Sequence, residues 1–94
     1  MKKKKEALKK MNSDLERRLC QRILGRRKDL GMSRQVLADL LEISYETVRC
    51  WETQASVPRL SRMTDLAFVL QTNIEWLLLG QQPKNSKYRV KTKS

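Results

Sequence analysis

The stretch SRQVLADLLEISYETVRCWE, residues 33–52, limits what this chain can fold into more than any other segment. It carries two helix-start signals only eleven residues apart: Ser33 precedes Val36, Leu37, Leu40 and Leu41, and Ser44 precedes Val48 and Trp51. A serine oxygen placed just ahead of a helical apolar repeat accepts one of the orphan amides of the first turn. The spacing predicts two short helices joined by a turn at Glu42 and Ile43, with Val36, Leu37, Leu40 and Leu41 as the buried side of the first and Ala38 as its small residue. Ile43 and Val48 have the separation of a hydrophobic staple, which sets the angle at which the chain enters the second. Isolated helices shorter than about 12 residues are marginal in water, so both must borrow stability from neighbours.

Those neighbours can be read on either side. Ser13 and Glu16 have the S-x-x-E spacing of a capping box and predict a first helix beginning there. Leu15, Leu19, Ile23 and Leu24 give that helix an apolar stripe, with Arg17, Arg18, Arg22, Arg26, Arg27 and Lys28 filling its other faces, and Gly31 offers a left-handed stop. After a loop at 54–58, Leu60, Met63, Leu66, Ala67 and Leu70 recur at helical spacing. Asn73 then caps IEWLLL, which Gly80 ends. Five aromatic residues and three glycines in 94 disfavour strands. The expected class is all-α, a compact five-helix bundle.

Charge is distributed unevenly. Residues 1–12 hold six Lys against Glu6, a net +5, and residues 81–94 hold five basic residues, another +5, leaving only +1 of the total +11 for residues 13–80. This divides the chain into a basic N-terminal arm (1–12), a helical domain (13–80) and a basic, flexible C-terminal tail (81–94). Lys-rich tails suit a polyanion, because each cation that neutralises a phosphate releases a condensed counterion. No segment has the roughly 20 apolar residues of a membrane span. MKKKKEALKKMN also lacks the apolar run of a signal peptide, so the expected location is cytoplasmic. With no histidine and no C-x-x-C spacing, Cys20 and Cys50 are expected as reduced thiols. No metal site, cofactor or catalytic set can be assembled, and an enzyme is not expected.

Residues 15–80 resemble the helix-turn-helix family of lambdoid phage repressors, Cro proteins and Xre-type regulators. The residues that carry the resemblance are Leu37, Ala38, Val48, Trp51, Glu52, Pro58, Leu60, Leu66, Ala67, Leu70 and the ending IEWLLLG. It implies a lambda-repressor-like bundle that binds double-stranded DNA, with the second short helix in the major groove. The resemblance implies base contacts from Ser44, Tyr45, Glu46, Thr47, Arg49 and Cys50, and backbone contacts from Arg34, Gln35, Gln54, Arg59 and Arg62. Arg49 is the foremost candidate, since an arginine pairs bidentately with guanine O6 and N7, whereas a Glu accepts from cytosine N4. A second reading of Glu46 and Arg49, three residues apart, is a solvated surface pair.

The chain also departs from the family pattern. Arg34 stands where Gln is common, which implies a guanidinium clamp on phosphate. Glu42, Gln54 and Gln71 occupy positions that often hold glycine. Phe68 and Leu79 stand where polar residues are usual and imply a homodimer through the fourth and fifth helices. The function implied is a phage- or prophage-type repressor on a pseudo-palindromic operator. The same domain would also serve the antitoxin of a toxin-antitoxin pair, with a toxin as partner, or a protein-interaction module.

Overall fold

Both serines of the central stretch cap helices, each accepting a backbone amide three residues on at 3.1 Å: Ser33 from Val36 and Ser44 from Thr47. The computed structural model describes residues 2–81, with side chains from Lys5 onward. Among these residues the order is α1 (Lys2–Asp29), α2 (Arg34–Leu41), α3 (Tyr45–Glu52), α4 (Leu60–Val69) and α5 (Ile74–Leu79). α2 packs on α3 and α4, α1 on α3 and α5, and α4 on α5. The expected tail lies, from residue 82 on, outside the described residues. No described helix is long and apolar enough to cross a membrane.

The core gathers Leu19 and Ile23 of α1, Leu37, Ala38 and Leu41 of α2, Val48 and Trp51 of α3, Met63, Leu66, Ala67 and Leu70 around α4, and Trp76 and Leu77 of α5. Ala38 is fully buried at the contact of α2 with its neighbours, where a larger side chain would force the helices apart. Cys20 is buried and Cys50 half-buried, and both are free thiols. Burial pushes the Cys20 thiol above its ordinary pKa, which keeps it protonated and inert.

The structure corrects three expectations. α1 does not start at Ser13 but runs through it from Lys2. Ala7, Leu8, Lys9, Lys10 and Met11 are good helix formers, and extending a helix that already has a nucleus requires no second one. Secondly, Val36, Leu40, Leu15 and Leu60 are exposed rather than core. α2 buries only the face holding Leu37, Ala38 and Leu41; Leu15 lies one turn ahead of the first buried residue of α1; Leu60 is the first residue of α4 and projects beyond the bundle. Thirdly, Arg22, Arg26 and Arg27 do not fill solvent faces. Arg22 Nη1 donates to the carbonyls of Leu77 (2.9 Å) and Leu78 (3.2 Å), and Arg26 donates to those of Leu70 (2.8 Å) and Gln71 (3.3 Å). They cap the negative ends of α5 and α4.

α1, α2, α3 and α4 all end in the same way. One or two positions past each helix a residue turns left-handed, its amide bonding back three residues and the next amide bonding back five. These pairs are Gly31 to Lys28 with Met32 to Arg27, Glu42 to Asp39 with Ile43 to Ala38, Gln54 to Trp51 with Ala55 to Cys50, and Gln71 to Phe68 with Thr72 to Ala67. This is the Schellman motif, in which glycine is the usual left-handed residue. Only the first of the four has it: Glu42, Gln54 and Gln71 adopt φ of 56°, 66° and 53°. A left-handed non-glycine residue costs about 1 kcal/mol through crowding of its Cβ. Replacing Glu42 or Gln71 by glycine should raise unfolding free energy by about 1 kcal/mol each and the melting temperature by about 4–8 °C, measured by urea and thermal denaturation. Unchanged stability would mean that the turns carry no such strain.

Candidate nucleic-acid interface

α3 is presented by what lies beneath it. Its inward face holds Val48 and Trp51 in the core, and the next residue, Glu52, is buried although acidic. A buried carboxylate requires partners. Arg27 of α1 supplies two donors, Nε to Oε2 at 2.6 Å and Nη2 to Oε1 at 2.9 Å, while its Nη1 donates to the Met32 carbonyl. Arg34, the first residue of α2, adds Nε to Oε1 at 2.8 Å. Burial alone would raise the Glu52 carboxyl pKa, but the hydrogen bonds from Arg27 and Arg34 outweigh it and hold the group below its ordinary value.

Arg34, an expected backbone contact, is thereby also part of the Glu52 network, with its side chain still partly exposed. Its Nε is committed to Glu52, with a further interaction with the Tyr45 side chain. A guanidinium tied to a carboxylate is a weaker phosphate clamp than a free one, because its charge is already compensated. In the sequence Glu52 stands out only as a family landmark, with no sign of this network at its own position. The available signal was Arg27, which continues the Leu19–Ile23 stripe at a spacing of four, where another apolar residue belongs.

The expected base-contacting residues come together on one side of α3. Tyr45 and Glu46 are exposed, Thr47, Arg49 and Cys50 half-buried, and Ser44 is exposed at the helix tip. Ser44 Oγ, besides accepting the Thr47 amide, is 2.8 Å from the Thr47 hydroxyl. Arg49 Nε donates to Glu46 Oε2 at 3.0 Å and Nη2 donates to Oε1, and the Cys50 thiol lies 3.7 Å from the same oxygen. The hydrogen bond from Arg49 holds the Glu46 carboxyl below its ordinary pKa. The paired reading of Glu46 and Arg49 therefore describes the isolated chain.

The expected backbone-contacting residues divide. Arg59 and Arg62 are exposed and line a groove of about 540 Å³ with Thr47 of α3, Trp51, Ser56, Val57 and Ser61, so two cations flank the side of α3 that carries Thr47. Gln35 is exposed in the first turn of α2 and donates to Asp39 at 2.8 Å. Gln54 is exposed at the left-handed position after α3.

Residues 17–85 match the family model described as the bacteriophage CI repressor helix-turn-helix domain. The HTH-type transcriptional regulator DicA of Escherichia coli (strain K12) is 38% identical over 64 residues, which cover 68% of this chain and 47% of DicA. The chain thus spans about half the length of that relative. The P22 c2 repressor protein, solved in complex with synthetic operator 9T, superimposes with a TM-score of 0.63 at 27% identity, over 67% of this chain and 96% of that one.

Replacing Glu52 by alanine leaves Arg27 as a buried charge without its carboxylate and should destabilise the domain by about 3 kcal/mol, measured by urea denaturation. The pH response follows from the depressed carboxyl. Between the folded pKa and the unfolded value near 4.5, the unfolded chain binds the proton and the folded one does not. Stability from this group is therefore complete above about pH 4.5 and is lost as pH falls through the folded pKa, and Glu52→Gln should flatten that acid limb.

Proposed function

The chain belongs to the bacteriophage CI repressor helix-turn-helix family, and we propose that it is a sequence-specific DNA-binding transcriptional repressor that occupies a pseudo-palindromic operator as a homodimer. The observation that carries this reading is the division of α3. Val48, Trp51 and Glu52 are locked into the bundle, while Ser44, Tyr45, Glu46, Thr47, Arg49 and Cys50 share its accessible side. A helix held rigidly by its inner face and free along its outer one can enter a major groove without rearrangement. Arg59 and Arg62 beside it suit phosphates on the flanks of that groove, and Gln35 and Gln54 stand at the ends of α2 and α3, where backbone contacts would fall. The P22 c2 repressor was solved on an operator, and DicA is described as a transcriptional regulator. Both favour a regulator over an antitoxin or an interaction module.

Dimerisation is supported by Phe68 of α4, 73% exposed, and Leu79 of α5, 56% exposed. One recognition helix spans only a few base pairs, so useful selectivity needs two copies about 34 Å apart, one helical turn of DNA. The basic segment 1–12 supplies charge without sequence information and suits the phosphate backbone.

Selection of binding sites from random duplexes should return a pseudo-palindrome whose half-sites are centred about 10 base pairs apart or a multiple of that. Arg49→Ala should lose most of that preference. If the selected sites show no symmetry, or Arg49→Ala retains the wild-type preference, the reading is wrong. Deleting residues 1–12 should make the dependence of log K on log salt shallower, by about 0.9 for each lysine that contacts a phosphate. An equal slope in the shortened protein would remove that segment from the interface.

A further inference from the structure

Glu46 and Arg49 lie one turn apart on the accessible side of α3, and their mutual geometry gives them different tasks. The two carboxylate oxygens grip one edge of the guanidinium, the edge formed by Nε and Nη2. A guanidinium carries five N–H groups in a rigid planar fork. With two of them engaged, three remain, and one on Nη1 together with one on Nη2 point the same way, along the long axis of the side chain. That pair matches two acceptors lying side by side in one plane, the arrangement that guanine presents as O6 and N7 in the major groove.

The opposite charges of Glu46 and Arg49 cancel at close range, so together they add little to general attraction for phosphate. What they present is a directional pair of donors. An untethered arginine samples many rotamers and must lose that freedom on binding, whereas the carboxylate grip selects the orientation beforehand. Both Glu46 oxygens face Arg49, and the Cys50 thiol also approaches Oε1. For Glu46 to accept from a cytosine, it would have to leave this arrangement and release the guanidinium.

On the basis of the operator-binding function above, we propose that Glu46 does not read a base but is a positioning residue that holds Arg49 with its outer edge directed at a single guanine. Arg49 is then the specificity-determining residue of α3, and the two act as one unit. Both side chains are partly exposed, 62% for Glu46 and 41% for Arg49, so substitution of either leaves the core untouched.

The test compares wild type with Glu46→Ala, Glu46→Gln, Arg49→Ala and Arg49→Lys in site selection. It then titrates each on the wild-type duplex with the assigned guanine replaced by 7-deazaguanine, which lacks the N7 acceptor. Wild type should lose roughly tenfold in affinity on the modified duplex. Arg49→Ala should lose nothing further, and Arg49→Lys, without the planar fork, should not recover the guanine preference. Glu46→Ala should weaken preference at the same base pair as Arg49→Ala while affinity for random duplex rises, because Arg49 loses its compensating charge, and Glu46→Gln should fall between it and wild type. A preference lost at a different base pair in Glu46→Ala would make Glu46 a direct reader and overturn the proposal. So would a guanine preference in Glu46→Ala equal to or sharper than wild type. If wild type selects no sequence at all, the operator-binding function fails, an outcome distinct from either of these.

Discussion

The Glu52 carboxylate is the point on which the rest of the arrangement depends. It is the last residue of α3, its side chain is shielded from solvent, and it is held by Arg27 of α1 and Arg34 of α2. Three elements converge on one buried anion. Apolar packing of Val48 and Trp51 holds α3 against the bundle, but it is indifferent to small slides and rotations. A bidentate arginine-carboxylate pair is directional and tolerates few alternatives. The network therefore fixes the rotation of α3 about its axis, and with it which side chains reach the outer side.

The same logic extends along α1. Arg22, Arg26 and Arg27 face the domain rather than the solvent, with the first two on the carbonyl ends of α5 and α4 and the third on Glu52. Short helices expose a large share of unsatisfied carbonyls, and a long neighbouring helix studded with arginines satisfies them. Gly80 fits this arrangement. At φ 72° it closes α5 left-handed, and a Cβ there would come within 2.7 Å of Arg22 Nη2. A consequence for recognition is that positive charge near the domain is not all available to a ligand. Arg22, Arg26 and Arg27 serve the fold and Arg34 gives its Nε to Glu52, while Arg59 and Arg62 stand exposed beside α3.

Much of this was legible in the residues. Ser33, Ser44 and Gly31 act locally, through atoms a few positions away, so their caps could be read directly. The three family-glycine positions, Glu42, Gln54 and Gln71, all adopt the left-handed backbone that their places in the pattern imply. The capping box at Ser13 misled for an equally local reason: a cap signal marks where a helix can start, and a preceding run of good helix formers removes the need. Val36 and Leu40 misled because periodicity tells which residues share a face but not how wide a face the neighbours cover.

By itself, the sequence determined the helices, their ends apart from the start of α1, the short connection between α2 and α3 and the identity of α3 as the helix with a polar outer side. Each follows from contacts within about five residues. Only the tertiary structure decided which arginines turn inward, that Arg34 meets Glu52 rather than standing free, and that Arg59 and Arg62 line a groove with Thr47. It also showed that Glu46 and Arg49 adopt the paired geometry, one of two readings their spacing allowed. Long charged side chains have many rotamers and no periodic signature. Where they end is set by the nearest uncompensated charge or carbonyl, which the folded arrangement alone brings within reach.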